Sequence, residues 1–543
     1  MATIEATRSD RPVGLGASTL CEAFQLTAAE HPERVALRTK GGEFEVTWGD
    51  YAQKVKRLAA GFAALGLQRG QTLGIMLTNR PEFHFADTAA MHLGATPFSV
   101  YNTYSAEQIE YLVGDAASPI LVTEQAFLER VLEVQKACSS LKHVVVVDGD
   151  VPEGALSLDD VMERGESGFD FDASWRAVKP DDILTLIYTS GTTGPPKGVQ
   201  LTHDNLIQAV RSFDQIIAFP NDGRVVSYLP MAHIAERKQA TQWALGVGLK
   251  KVHLEQAGEE VPEELATEHA KADEQVLSTI RSMLGLDELE SLNVGAAPTP
   301  REVIEFFHAL GLPLAELWGM SETTGAGACN PPDKVKIGTV GPAAPGIEIK
   351  LAEDGEVLIR GPVVMPGYRG APEQTAETID SDGWLHTGDI GELDEDDYLK
   401  IVDRKKELII NAGGKNMSPA NIEAKVKAAH PLIGQAIAIG DGRPYNVALI
   451  TLDPDVAPAF AGQNGIEDTS FENLAAQQAV LDEVQKGVDA ANESLARVEQ
   501  IKKFKLLPTD WEPGGDELTP TMKLKRKPIA EKYKKEIDGL YGS

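Results

Sequence analysis

Between Ser18 and about Pro220, apolar helical stretches alternate with short β-branched runs. That alternation restricts the chain to helices packed on a largely parallel sheet. Strands are expected at Thr72 to Met76, Val144 to Val147 and Ile183 to Ile187, and helices around Asp50 to Leu65 and Asp204 to Ile217. Thr19 and Glu22 have the spacing of a capping box at the first helix. Beyond Lys350 the pattern changes to short strands with glycine and proline turns, as in EVLIRGPVVMPGY (356–368) and GDIGELDEDDYLKIVD (388–403). After Arg404 come a strand, a Gly-Gly turn and then alternating helices and strands. The expected fold class is therefore α/β. A large N-terminal domain of parallel sheets with helices spans 1–403, including a small β-rich subdomain from about 340 to 403, and a smaller α+β C-terminal domain follows over 404–543.

With 543 residues the chain is long enough for two or three packed units. Its net charge of -31 opposes a phosphate backbone, so no nucleic-acid partner is expected. The three cysteines, Cys21, Cys138 and Cys329, are far apart and show no CxxC spacing, which argues against a disulfide framework or a zinc site and fits a reducing cytoplasm. The first residues lack an apolar signal region, and no run of about 18 apolar residues occurs. Peripheral association with the inner face of a membrane stays open, as does the oligomeric state. Basic residues gather near the C-terminus, from Lys523 to Lys535, where a solvated face is the ordinary reading.

The strongest local signal is IYTSGTTGPPKG, residues 187–198, in which a strand runs into a loop of small and hydroxylated residues and then a lysine. Gly191 and Gly194 let backbone N–H groups approach an anion, and Thr189, Ser190, Thr192 and Thr193 add hydroxyl donors. Such a composition suits a polyphosphate. The Walker A spacing is not met, because Lys197 follows Pro196 and precedes Gly198.

YTSGTTGPPKG resembles the phosphate-loop signature of the adenylate-forming superfamily, which includes acyl-CoA synthetases, peptide-synthetase adenylation domains and beetle luciferases. The superfamily's further motifs follow in order: NVGAAP (293–298), LWGMSETTG (317–325), GWLHTGDIG (383–391), IVDRKKELI (401–409) and TPTMKLKR (519–526). The resemblance implies an ATP site built from the 189–197 loop, Gly295, Ala296, Ala297, Trp318, Gly319, Ser321, Glu322, Asp389, Arg404 and Lys523. Trp318 stands where the family more often has tyrosine and would offer its flat face to adenine. Glu322 and Thr189 would hold Mg²⁺, a hard cation that takes oxygen ligands. Asp389 and Arg404 would bind the ribose hydroxyls. Lys523 matches the adenylation lysine, whose ammonium offsets charge in the transition state. The resemblance also implies a C-terminal domain that rotates about Lys406 between half-reactions, with Gly413, Gly414 and Lys415 facing coenzyme A. Lys525 to Lys527 are read as a solvated face that could also help to hold the coenzyme A phosphates.

YLPMAHIAER (228–237) and the long GWLHTGDIG to KKELI run are similar to long-chain fatty-acyl-CoA synthetases. That likeness implies a fatty acid as substrate, ATP and coenzyme A as cosubstrates, and His233 at the junction of acyl pocket and nucleotide. Only 61 residues separate His233 from Gly295, fewer than in the resembling enzymes. Either an intervening segment has been left out or the chain is truly truncated there; omission is the expectation, since losing core strands would expose apolar surface. Two other readings remain in play: a fatty acyl-AMP ligase that loads a carrier protein, and a catalytically silent nucleotide or acyl sensor on the same fold.

Overall fold

Eight strands form the largest sheet, in the order Gly367–Tyr368, Lys197–Thr202, Ile183–Thr189, Thr96–Ser99, Thr72–Met76, Ile120–Thr123, His143–Val146 and Leu156–Ser157. In the computed structural model, residues 12–39, 42–189, 195–217, 249–289, 291–295, 299–411, 415–519 and 522–542 are described. From Ile183–Thr189 to Leu156–Ser157 neighbouring strands run parallel, whereas Lys197–Thr202 and the Gly367–Tyr368 edge pair antiparallel. All five residues of Thr72–Met76 and all four of Ile120–Thr123 are buried, as expected of strands covered on both faces. Their alternation divides them between two cores. Leu73, Ile75, Ile120 and Val122 pack with the helices on one face, while Met76, Leu121, Val144 and Val146 join a second cluster on the other.

Local residues explain the helices on these faces. Thr47 caps the helix Trp48–Ala64 by accepting from the Asp50 N–H, and Gly61 lets that helix approach Val161, whose carbonyl oxygen would stand 2.0 Å from an added Cβ. The capping box expected at Thr19 is only half formed. Thr19 accepts from the Glu22 N–H, but the Glu22 carboxylate reaches the Ser18 N–H at 2.8 Å instead of the Thr19 N–H.

Two smaller sheets follow. Leu292–Val294 and Leu314–Trp318 are parallel, with Ala328–Cys329 antiparallel at the edge. Glu348–Leu351, Glu356–Arg360, Leu385–Leu393 and Leu399–Arg404 make a four-stranded antiparallel sheet. Past the turn after Arg404, Ile433–Ile439, Asn446–Leu452 and Ile501–Leu506 form a three-stranded sheet covered by the helices Pro419–Ala429 and Gln478–Ser494, with a core of its own. No helix among the described residues is long and apolar enough to cross a membrane.

Candidate active site

The phosphate-loop signature is carried on a hairpin. Thr189 ends one strand directly opposite Lys197, which begins the next. The loop's ends are braced from the helix Ala106–Ala116: Tyr111 donates to the Pro196 carbonyl at 3.1 Å, and Tyr188 donates to Asp115 at 2.7 Å. Ser190, Gly191, Thr192, Thr193 and Gly194 lie outside the described residues, as do Ala296, Ala297, His233, Gly413 and Gly414.

Glu322 sits in the short turn Ser321–Thr323, which packs against the strand Lys197–Thr202. Gly319 permits this turn, because a Cβ there would meet the Gly325 carbonyl oxygen at 2.4 Å. The Glu322 carboxylate is buried and accepts a hydrogen bond from the Tyr368 hydroxyl at 2.9 Å. Burial and the neighbouring Glu322 charge both push the Tyr368 phenol up. The Lys197 ammonium lies 4.9 Å from the centre of the same ring. Glu322 and the Thr189 hydroxyl are each oxygen donors of the kind a hard cation such as Mg²⁺ takes. No cluster of three or more His, Cys, Asp or Glu able to cage a metal occurs among the described residues.

Asp389 and Arg404 face each other across the strands Leu385–Leu393 and Leu399–Arg404. Arg404 Nε lies 2.8 Å from Asp389 Oδ1, and the Trp318 indole N–H donates to Oδ2 at 2.9 Å. Burial raises the Asp389 carboxyl, against the pull of Arg404 and Trp318. The indole is itself buried against Gly327, where a side chain would meet its ring at 2.7 Å. Two residues earlier on the same face of the strand is Glu316, partly buried and pushed up to about 7 by that burial, against a hydrogen bond from the Thr299 backbone. Gly295 lies beside this strand, with Leu317 filling the space a Cβ would need.

Lys523 is presented by a tight reversal. Its N–H donates to Thr519 Oγ1 at 3.0 Å, its carbonyl accepts from the Thr519 N–H at 2.8 Å, and Met522 adopts a φ of 63°. The Lys523 side chain keeps solvent access. Surrounding protein and then Arg404 lower its pKa, while Asp389 and Glu407 raise it, so the ammonium belongs to the field of the Asp389–Arg404 pair. The expectation of a solvated face at Lys525 to Lys527 is corrected at two of these positions. Lys525 Nζ donates to the Gly515 carbonyl at 2.7 Å, and Arg526 makes a forked pair with buried Glu423 at 2.6 and 2.8 Å and a further bond to Glu407 at 3.0 Å. A guanidinium's planar donors can satisfy two carboxylates at once, which is why this arginine sits inside. Lys527 is exposed.

Lys406 is exposed in the turn after Arg404, and among the described residues no hydrogen bond engages its N–H. One residue before Arg404, Asp403 accepts from Ser418 Oγ at 2.6 Å and from the Ala420 N–H at 3.2 Å, tying the sheet to the start of the helix Pro419–Ala429. Lys415 is exposed and closes a loop through its N–H to Asn411 Oδ1 at 3.0 Å. The structure thus gathers Trp318, Asp389, Arg404 and Lys523, and joins Lys197 to Glu322 through Tyr368. Tyr368 escaped the motif reading because it ends a run that reads only as strand and turn. Arg526 escaped because it lies in a basic stretch.

The family model for AMP-binding enzymes matches residues 24–369, and the model for the AMP-binding enzyme C-terminal domain matches 406–543. A provisionally named fatty-acid–CoA ligase of Mycobacterium tuberculosis, fadD11, is 46 % identical over 452 residues, covering 72 % of this chain and 79 % of the relative. The long-chain-fatty-acid–CoA ligase FadD15 of Mycobacterium bovis is 33 % identical, with 92 % of each chain covered. Among solved structures, the o-succinylbenzoate CoA synthetase of Bacillus subtilis with its acyl-adenylate matches with a TM-score of 0.67 at 23 % identity, covering 93 % of this chain and 97 % of the other; this is a likeness of fold. The alignment with FadD15 runs over 560 positions, more than this chain contains, so that relative carries residues that this chain lacks.

Proposed function

The chain belongs to the AMP-binding enzyme family, and from that premise we propose that it activates a fatty acid with ATP and transfers the acyl group to coenzyme A. In the first half-reaction the fatty carboxylate attacks the α-phosphorus, forming acyl-adenylate and releasing pyrophosphate. In the second, the thiol of coenzyme A attacks the acyl carbonyl, giving the thioester and AMP. No covalent enzyme intermediate is needed, so positioning and charge neutralisation supply the catalysis.

The observation that carries this reading is the Trp318–Asp389–Arg404 group, with the charge of Lys523 in the field of Asp389 and Arg404. Asp389 is a buried acceptor suited to ribose hydroxyls, and Arg404 opposes the rise that burial imposes on its carboxyl. Lys523 brings a positive charge to the side where the carboxylate and α-phosphate meet. Glu322 and Thr189 would hold Mg²⁺, which when bound neutralises phosphate charge. Lys406 would be the hinge and Gly413, Gly414 and Lys415 the approach for coenzyme A; His233 would contact the acyl chain. The three free cysteines suit a reducing cytoplasm.

Pyrophosphate release tests the reading, measured with short, medium, long, aromatic and amino acids, each with and without coenzyme A. Fatty acids should drive release, and acyl-CoA should accumulate when coenzyme A is present. Release without any thioester would point to a carrier-protein acceptor, and no release with any acid would overturn the proposal.

A further inference from the structure

Tyr368 joins two oppositely charged residues that do not join each other. Its hydroxyl donates to Glu322 and its ring lies under the Lys197 ammonium, yet no ion pair between Lys197 and Glu322 occurs among the described residues. The side chain is fixed from several directions. Gly367 and Tyr368 pair with Gln200 and Val199, the Tyr368 N–H donates to Thr375 Oγ1 at 3.0 Å, and the ring is buried with Val199, Leu201 and Met365. The next residue, Arg369, adds an anchor: its N–H donates to the Gly198 carbonyl at 2.9 Å, and its guanidinium reaches the carbonyls of Asp115 and Ala116. Gly367 allows the strand to lie close to Thr375, whose side chain would stand 2.7 Å from a Cβ.

We propose that Tyr368 is a positioning residue that keeps the two charges of the nucleotide site apart and aimed at a magnesium–nucleoside triphosphate. The hydroxyl occupies one oxygen of Glu322, while among the described residues the other has no hydrogen-bond partner. The ring face supports Lys197 through its quadrupole while the hydroxyl at its edge holds the carboxylate, and this shared side chain is the proposed spacer of the two charges. Without that spacer, a lysine and a carboxylate in a shared low-dielectric site would pair directly, and each would be withdrawn from the ligand. The inference rests on the ATP-dependent reading above for its choice of ligand, but not on the identity of the acid or of the acyl acceptor.

The test is calorimetric titration of the full chain with ATP, in excess Mg²⁺ and in EDTA. Tyr368→Phe keeps the spacer and loses the donor, so the tightening of ATP binding by Mg²⁺ should shrink about tenfold, as for loss of a hydrogen bond to a charged group. Its affinity in EDTA should change less than about twofold. Tyr368→Leu removes the spacer as well, and ATP binding should weaken at least about threefold in EDTA too. In Glu322→Gln, adding Tyr368→Phe should have no further effect on the Mg²⁺ dependence.

An unchanged or larger Mg²⁺ effect in Tyr368→Phe overturns the proposal, and so does equal weakening with and without Mg²⁺, which is the mark of a purely structural role. Additive losses in the double variant also overturn it. If Tyr368→Leu does not fold, the Phe variant and the double-variant cycle decide alone. A wild-type protein that binds Mg·ATP but makes no acyl-CoA would sink the functional reading and leave these titrations to judge Tyr368. A wild-type protein that binds no ATP would sink both.

Discussion

The Trp318 indole N–H donates to Asp389 Oδ2 at 2.9 Å, so a side chain suited to stacking on a base also holds the carboxylate suited to the ribose. One residue thereby couples the two halves of a nucleoside site. Trp318→Phe keeps a flat apolar ring and removes the donor. Since a hydrogen bond to a charged group contributes about 1.5–3 kcal/mol, KM for ATP should rise about tenfold or more, with a smaller change in kcat. Initial rates over a range of ATP concentrations check this, and an unchanged KM would count against the coupling.

Lys523→Ala should reduce acyl-adenylate formation about a hundredfold or more, as expected when one preorganised charge is lost from a transition state. Thioester formation from preformed acyl-adenylate should fall much less. The two half-reactions are measured separately by rapid quench, and equal losses in both would remove the role assigned to this lysine.

Lys406→Pro tests the hinge. In the present arrangement the Lys406 N–H has no hydrogen-bond partner among the described residues, so proline removes no bond from the conformer that brings Lys523 to Asp389 and Arg404. Proline does fix φ near about −65°, which obstructs a second conformer needing a different backbone angle. Adenylation should survive within about tenfold while acyl-CoA production from acyl-adenylate drops by orders of magnitude. A proportionate loss of both steps, or of neither, would exclude a hinge here.

Glu316 supplies a prediction about stability and pH. Its carboxyl is raised from 4.5 to about 7 in the folded chain, chiefly by burial. Between those values the folded state holds a proton that the unfolded state has released, so stability from this group is full below about pH 4.5 and is lost as pH rises through about 7. Glu316→Gln, which cannot ionise, should raise the melting temperature at pH 8 and leave it nearly unchanged at pH 4.5. Equal shifts at both pH values would show that the substitution acts through packing instead.

Much of the candidate site was nameable from the sequence because its motifs are local and resemble those of a known family. A loop such as TSGTTGPPKG carries its hydroxyls, glycines and lysine within ten consecutive residues, and Asp389, Arg404 and Lys523 each stand inside a recognisable motif. The alternation of buried strands and helices likewise announces a parallel sheet, since strands such as Thr72–Met76 must be covered on both faces. Strand and helix ends were near but not identical to those observed: the helix expected from Asp50 begins at Trp48, where the Thr47 cap starts it.

What the sequence could not disclose are the contacts between residues far apart in the chain. Tyr368 reaches Glu322 across 46 positions, Trp318 reaches Asp389 across 71, and Arg526 reaches Glu423 and Glu407 across 103 and 119. Each partner taken alone is an ordinary tyrosine, tryptophan or arginine. Their roles arise only when separate strands and turns bring a donor to a buried carboxylate that would otherwise be left unsatisfied. The motifs and the family they resemble thus set which chemistry to expect of this chain, and tertiary packing decided which side chains hold the candidate site in place, because burying a charge demands a partner that sequence distance does not specify.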